Sequence, residues 1–161
     1  MAVTKLFIHG LESSGSGTKG MYFRRHFPEM IVEDYEGPFF ERMKKLNLIL
    51  AAKRNIILVG SSYGGLMAAV YALENRERVM RLILLAPALT LGEFVPYMNM
   101  KLTCPVIIYH GSRDNVVPVE DVKRIASEVF ADLQHHVVDD DHPLRESFIS
   151  LDWKKLLSTE R

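Results

Sequence analysis

The sequence predicts an α/β protein, a three-layer α/β/α sandwich around a mostly parallel sheet of about six strands. Two observations along the 161 residues lead there. Short runs rich in Val, Ile and Leu are mostly apolar throughout rather than alternating, as strands covered on both faces must be. Runs of helical period lie between them, so strand and helix alternate from end to end.

The first strand is expected over residues 3–8, VTKLFI. After it comes HGLESS and then SSGSGTKG, Ser13 to Gly20, whose glycines and serines mark a flexible loop. A helix over 20–27, a strand over 30–33 and a helix over 39–52 follow. The run over 55–60 reads as a buried strand that leads straight into a helix over 63–75. A strand over 81–86 is separated by residues 87–104 from another over 105–110. The clearest helix comes next. Val119, Val122, Ile125, Ala126 and Val129 form an apolar stripe opposite Glu120, Asp121, Lys123, Arg124 and Glu128. A strand over 135–138 and a helix over 144–157 complete the pattern. Neither a repeat nor a linker interrupts it, so residues 1–161 are expected to form one domain.

Twenty basic residues balance twenty acidic ones. That gives no electrostatic case for nucleic acid or an anionic membrane as partner and favours a small-molecule ligand. Cys104 is the single cysteine and has no partner for an internal disulfide. The N-terminal MAVTKLFIHG lacks the apolar stretch of a signal peptide, and no apolar run reaches the roughly 20 residues needed to cross a bilayer. A cytoplasmic location is expected.

The turn ILVGSSYGG poses the chemical question. It does not fit G-x-x-x-x-G-K-[ST] or G-x-G-x-x-G, the phosphate-cradling patterns. It does fit G-x-S-x-G through Gly60, Ser61, Ser62, Tyr63 and Gly64, with Ser62 at the centre. In such an elbow the serine occupies a strained strand-to-helix turn, and the small flanking residues let the backbone fold sharply. A serine hydroxyl needs a base, and the base an orienting acid. Of six histidines, His142 alone follows the last strand. Asp114, in HGSRDNVVP, stands beyond the strand over 105–110 at the carboxyl edge of the sheet and is the preferred acid, with Glu93 its rival. Asp139, Asp140 and Asp141 read as a solvated charged turn beside the histidine. Two N–H groups must hold the developing oxyanion. Tyr63, next after the serine, and Leu11, in the loop after the first strand, are placed to supply them.

Taken in order, HGLESS, GSSYGG, HGSRDNVVP and the terminal DHP resemble the α/β-hydrolase superfamily over nearly the whole chain, most of all its small bacterial-type serine esterases. The resemblance implies cofactor-free, metal-free hydrolysis of a small carboxylic ester or thioester through an acyl-enzyme on Ser62. It also implies that the second strand lies outside the first. Two departures stand out. Only eight residues precede His9, so the sheet is expected to be trimmed, and residues 87–104 are too few for a cap domain. Phe94, Tyr97 and Met98 in that connection are candidates to wall an acyl pocket. The same triad would serve a peptide or carbon–carbon bond hydrolase, and the same fold a non-catalytic binding protein.

Overall fold

Six strands, all paired in parallel, run side by side in the order β2-β1-β3-β4-β5-β6. The computed structural model describes residues 2–160. The strands are β1 (Thr4–Ile8), β2 (Ile31–Val32), β3 (Ile56–Ser61), β4 (Val79–Leu85), β5 (Val106–Gly111) and β6 (Leu133–Val138). The helices are α1 (Thr18–His26), α2 (Phe39–Ile49), α3 (Tyr63–Glu74), α4 (Val119–Val129), α5 (Arg145–Ser150) and α6 (Trp153–Leu156). The second strand lies outside the first, as expected.

Side chains alternate faces along each strand, so the sheet divides the core in two. Leu6, Ile8, Leu58, Leu82 and Ile108 face α2, α3 and α4. Phe7, Ile57, Val59, Ile83 and Leu85 face the other way, toward Phe23 of α1, Phe148 of α5 and Trp153 of α6. The result is the three-layer sandwich. Every residue of α3 from Tyr63 to Leu73 is buried, the pattern of a helix that is apolar all round because it packs at the centre.

The structure departs from the sequence reading at the last helix. The helix expected over 144–157 is two short ones, because Leu151 turns extended (φ −70°, ψ 145°) and Asp152 restarts the chain by accepting the Lys155 N–H. Trp153 closes the corner by donating its indole N–H to the Phe148 carbonyl at 2.8 Å. Between β4 and β5 a short 3₁₀ turn, Gly92–Tyr97, covers the end of α3, and among the described residues no cap domain is inserted there.

Candidate active site

At the end of β3 the chain reverses into α3 within one residue. Ser62 sits there with φ +55° and ψ −114°, a conformation that L-residues avoid and that costs on the order of 1–3 kcal/mol. Its neighbours explain the glycines. A Cβ on Gly60 would meet the Gly64 carbonyl oxygen at 2.3 Å, and one on Gly64 would meet the Ile8 carbonyl oxygen at 2.1 Å. The elbow closes only if both positions carry hydrogen alone.

Ser62 Oγ lies 3.0 Å from His142 Nε2, and His142 Nδ1 lies 2.7 Å from Asp114 Oδ2. An ionised carboxylate only accepts, so Nδ1 carries the proton and donates it. In the neutral ring Nε2 is then an acceptor, and the Ser62 hydroxyl donates to it. The side chain of Asp114 has no exposed surface. Burial alone would raise its pKa. The N–H groups of Val117 and Val116 on Oδ1, both at 2.8 Å, and the His142 ring on Oδ2 outweigh that and hold it below the ordinary carboxylate range.

A further histidine braces the acid. His110, at the end of β5, is fully buried, and its Nε2 lies 3.1 Å from both Asp114 Oδ2 and the Val117 carbonyl oxygen. Both are acceptors, so Nε2–H is shared between them. The ring stays neutral because burial lowers its pKa more than these contacts raise it. His110 opens the phrase HGSRDNVVP but has no role in the sequence reading; its signal is the four-residue spacing to Asp114 at the carboxyl end of one strand. Glu93, the rival acid, does not face His142 and instead accepts the Tyr63 hydroxyl at 3.0 Å.

The loop after β1 passes against the serine, with a Cβ built on Gly10 falling 3.5 Å from Ser62 Cβ. His9, buried behind it, accepts the Tyr35 N–H through Nε2 at 2.8 Å and donates Nδ1–H to the Gly10 carbonyl at 2.6 Å. A trans peptide points its N–H opposite to its carbonyl. The Leu11 N–H therefore points away from His9. The Tyr63 N–H opens α3, where the first N–H groups have no carbonyl of their own helix to bind.

The structure corrects two expectations around the site. Asp140 is no solvated turn residue: it is 5% exposed and accepts the Asp141 and Ser147 N–H groups, so it fixes the loop that carries His142. Phe94 is fully buried, and Tyr97 and Met98 pack against the same core. Tyr97 reaches Glu74 at the far end of α3, roughly 18 Å along the helix axis from the serine at 1.5 Å per residue. The cleft beside Ser62, of about 730 Å³, is lined instead by apolar Leu11, Leu91 and Val116, and by Lys19 and Arg145.

Residues 9–103 match the family described as Serine aminopeptidase, S33. The chain belongs to that family of α/β hydrolases. No curated protein matches this hydrolase significantly in sequence. Solved structures do match it in fold. Alpha/beta hydrolase domain-containing protein 10 from mouse superposes with a TM-score of 0.71 at 22% identity, over 90% of this chain and 84% of that one. A CIB-like hydrolase from Thermoplasma acidophilum gives 0.73 at 21%, over 96% and 86%. A monoacylglycerol lipase from Paleococcus ferrophilus gives 0.72 at 16%, over 94% and 93%. Among the described residues of this hydrolase, no helix is long and apolar enough to cross a membrane.

Proposed function

We propose that this α/β hydrolase cleaves a small carboxylic ester or thioester through an acyl-enzyme on Ser62. The observation that carries the reading is the unbroken hydrogen-bond relay Ser62 Oγ, His142 Nε2, His142 Nδ1, Asp114 Oδ2, with contacts of 3.0 and 2.7 Å. His142 takes the Ser62 proton as the oxygen attacks the acyl carbon, and Asp114 stabilises the imidazolium that forms. The N–H groups of Leu11 and Tyr63 hold the oxyanion. Collapse of the tetrahedral intermediate breaks the bond to the leaving group, which takes the proton from Nε2. Water, deprotonated by the same nitrogen, then releases the acid and restores the serine.

The family description names peptide cleavage at a chain N-terminus, a reaction whose substrate carries an ammonium. The cleft offers Glu12 as its acidic side chain against Lys19 and Arg145, a balance that favours an ester or thioester. The purified protein is to be assayed on p-nitrophenyl esters, acyl-thioesters and aminoacyl anilides. Ser62→Ala is expected to lose on the order of 10⁴-fold or more in turnover, and a fluorophosphonate to label Ser62 and not Ser61. Turnover that survives in Ser62→Ala removes the assignment, and a wild type that is inert and unlabelled points to a binding protein on this fold.

A further inference from the structure

The relay uses neither cation of the cleft. Lys19, on α1, and Arg145, the first residue of α5, line the same cavity as Ser62 and His142. Lys19 Nζ donates to the Pro143 carbonyl at 2.6 Å and stands 5.6 Å from the centre of the Phe148 ring. An ammonium has three donors, so two are left for a ligand. Burial first, and then the charge of Arg145, lowers the Lys19 pKa, against Asp140 and Asp141, which raise it.

Asp140 and Asp141 act on Lys19 through space. Asp140 spends both carboxylate oxygens on the backbone N–H groups of Asp141 and Ser147. Among the described residues, no carboxylate comes within 4.0 Å of Lys19 or Arg145. Two like charges in one cleft with no carboxylate in direct contact are unfavourable, and an anion that enters the cleft relieves the repulsion. Their position tells which part of the substrate would bring it. Both flank Pro143, the residue after His142, and His142 hands its proton to the departing group. Proximity to that proton donor makes the leaving group, rather than the acyl chain, the part that would bring the anion.

We propose that Lys19 and Arg145 form a subsite for a carboxylate or phosphate carried on the leaving group. The preferred substrates are then esters or thioesters whose alcohol or thiol portion is anionic. This inference rests on the serine-hydrolase reading above.

The test compares butyrate esters of 4-nitrophenol, of 3-carboxy-4-nitrophenol and of 4-hydroxyphenyl phosphate, together with 4-nitrophenyl succinate, whose charge is on the acyl side. The expected result is a kcat/KM for one or both anionic leaving groups at least roughly tenfold above the neutral ester, about one charge-assisted contact. The preference should shrink as salt is added. The better of the carboxylate and phosphate arms identifies the anion. In Arg145→Gln and Lys19→Gln the anionic-to-neutral ratio should fall toward one, and in Arg145→Glu below it. Among the described residues the Arg145 side chain forms no ion pair, whereas Lys19 is bonded to the His142 loop, so the Arg145 variants test the charge even if Lys19→Gln disturbs that loop. A neutral ester turned over as fast as the anionic ones overturns the subsite and leaves the hydrolase reading standing. So does a preference for the succinate ester alone, or a ratio unmoved in both Arg145 variants. If none of the esters is turned over in a Ser62-dependent way, the hydrolase reading fails and the subsite with it.

Discussion

Asp114, the proposed orienting acid, links the proposed chemistry to acid stability in one side chain. Its carboxylate receives the N–H groups of Val116 and Val117 on one oxygen and the rings of His142 and His110 on the other. In Asp114→Asn, with Oδ1 kept toward the two N–H groups, an NH₂ would face both rings. His142 would then have to accept at Nδ1 and carry its proton on Nε2, where it cannot take one from serine. We expect a loss on the order of 10⁴-fold in kcat, by analogy with other triads, in steady-state assays at neutral pH. The carboxyl pKa is lowered by folding, so its stabilisation is fully present above the unfolded value of about 3.9 and is lost as pH falls through the lower folded value. Melting temperatures of wild type and Asp114→Asn should therefore converge as the pH is lowered below about 4. A gap that stays constant down to pH 2 would show that the carboxylate is not the titrating group.

The strand-to-helix elbow is the element on which the site turns, and its tolerance is narrow. A methyl on Gly64 would press on the Ile8 and His9 carbonyl oxygens at 2.1 and 2.5 Å, so β1 and the loop carrying Leu11 would have to retreat. Gly64→Ala is expected to cost about 1–3 kcal/mol or more, read as a melting point lower by several degrees, and to depress kcat even where the protein stays folded. A variant as stable and active as wild type would show the elbow to be looser than drawn. Elements of this kind were legible in the sequence because their signals are local: unbroken apolar runs for β1, β3, β4 and β5, and a clean stripe for α4. The break between α5 and α6 was not, since LRESFISLDWKKLL keeps a helical period across Leu151 and only the packing of Trp153 on Phe148 selects the bend. Ser62, Asp114 and His142 could be picked out by order along the chain. Lys19 could not, for it meets the site through a contact between distant segments, with Pro143; His110 and Arg145 lie close in the chain to Asp114 and His142, but only the folded geometry turns them toward the site.

Considered as a whole, the molecule leaves its cleft open to water. A lid buries an acyl chain, and each methylene removed from water contributes about 0.8 kcal/mol. With only a 3₁₀ turn between β4 and β5, such burial is limited to the first few carbons beside Leu11, Leu91 and Val116. Rates measured from acetate to palmitate esters should peak at roughly two to six carbons by that argument, with no jump at the solubility limit. A maximum at ten carbons or more, or activation at an interface, would refute the open-site picture. The sheet order has a consequence of a different kind. His142, the proposed base, hangs from the loop after β6, and β6 is an edge strand held by β5 alone, whereas Ser62, the proposed nucleophile, follows β3 in the interior. Edges open more readily than centres. Catalysis thus reports on the outermost layer of a cooperative structure: in a urea titration activity should disappear before the far-ultraviolet signal does, the serine still in its elbow and its proton with nowhere to go.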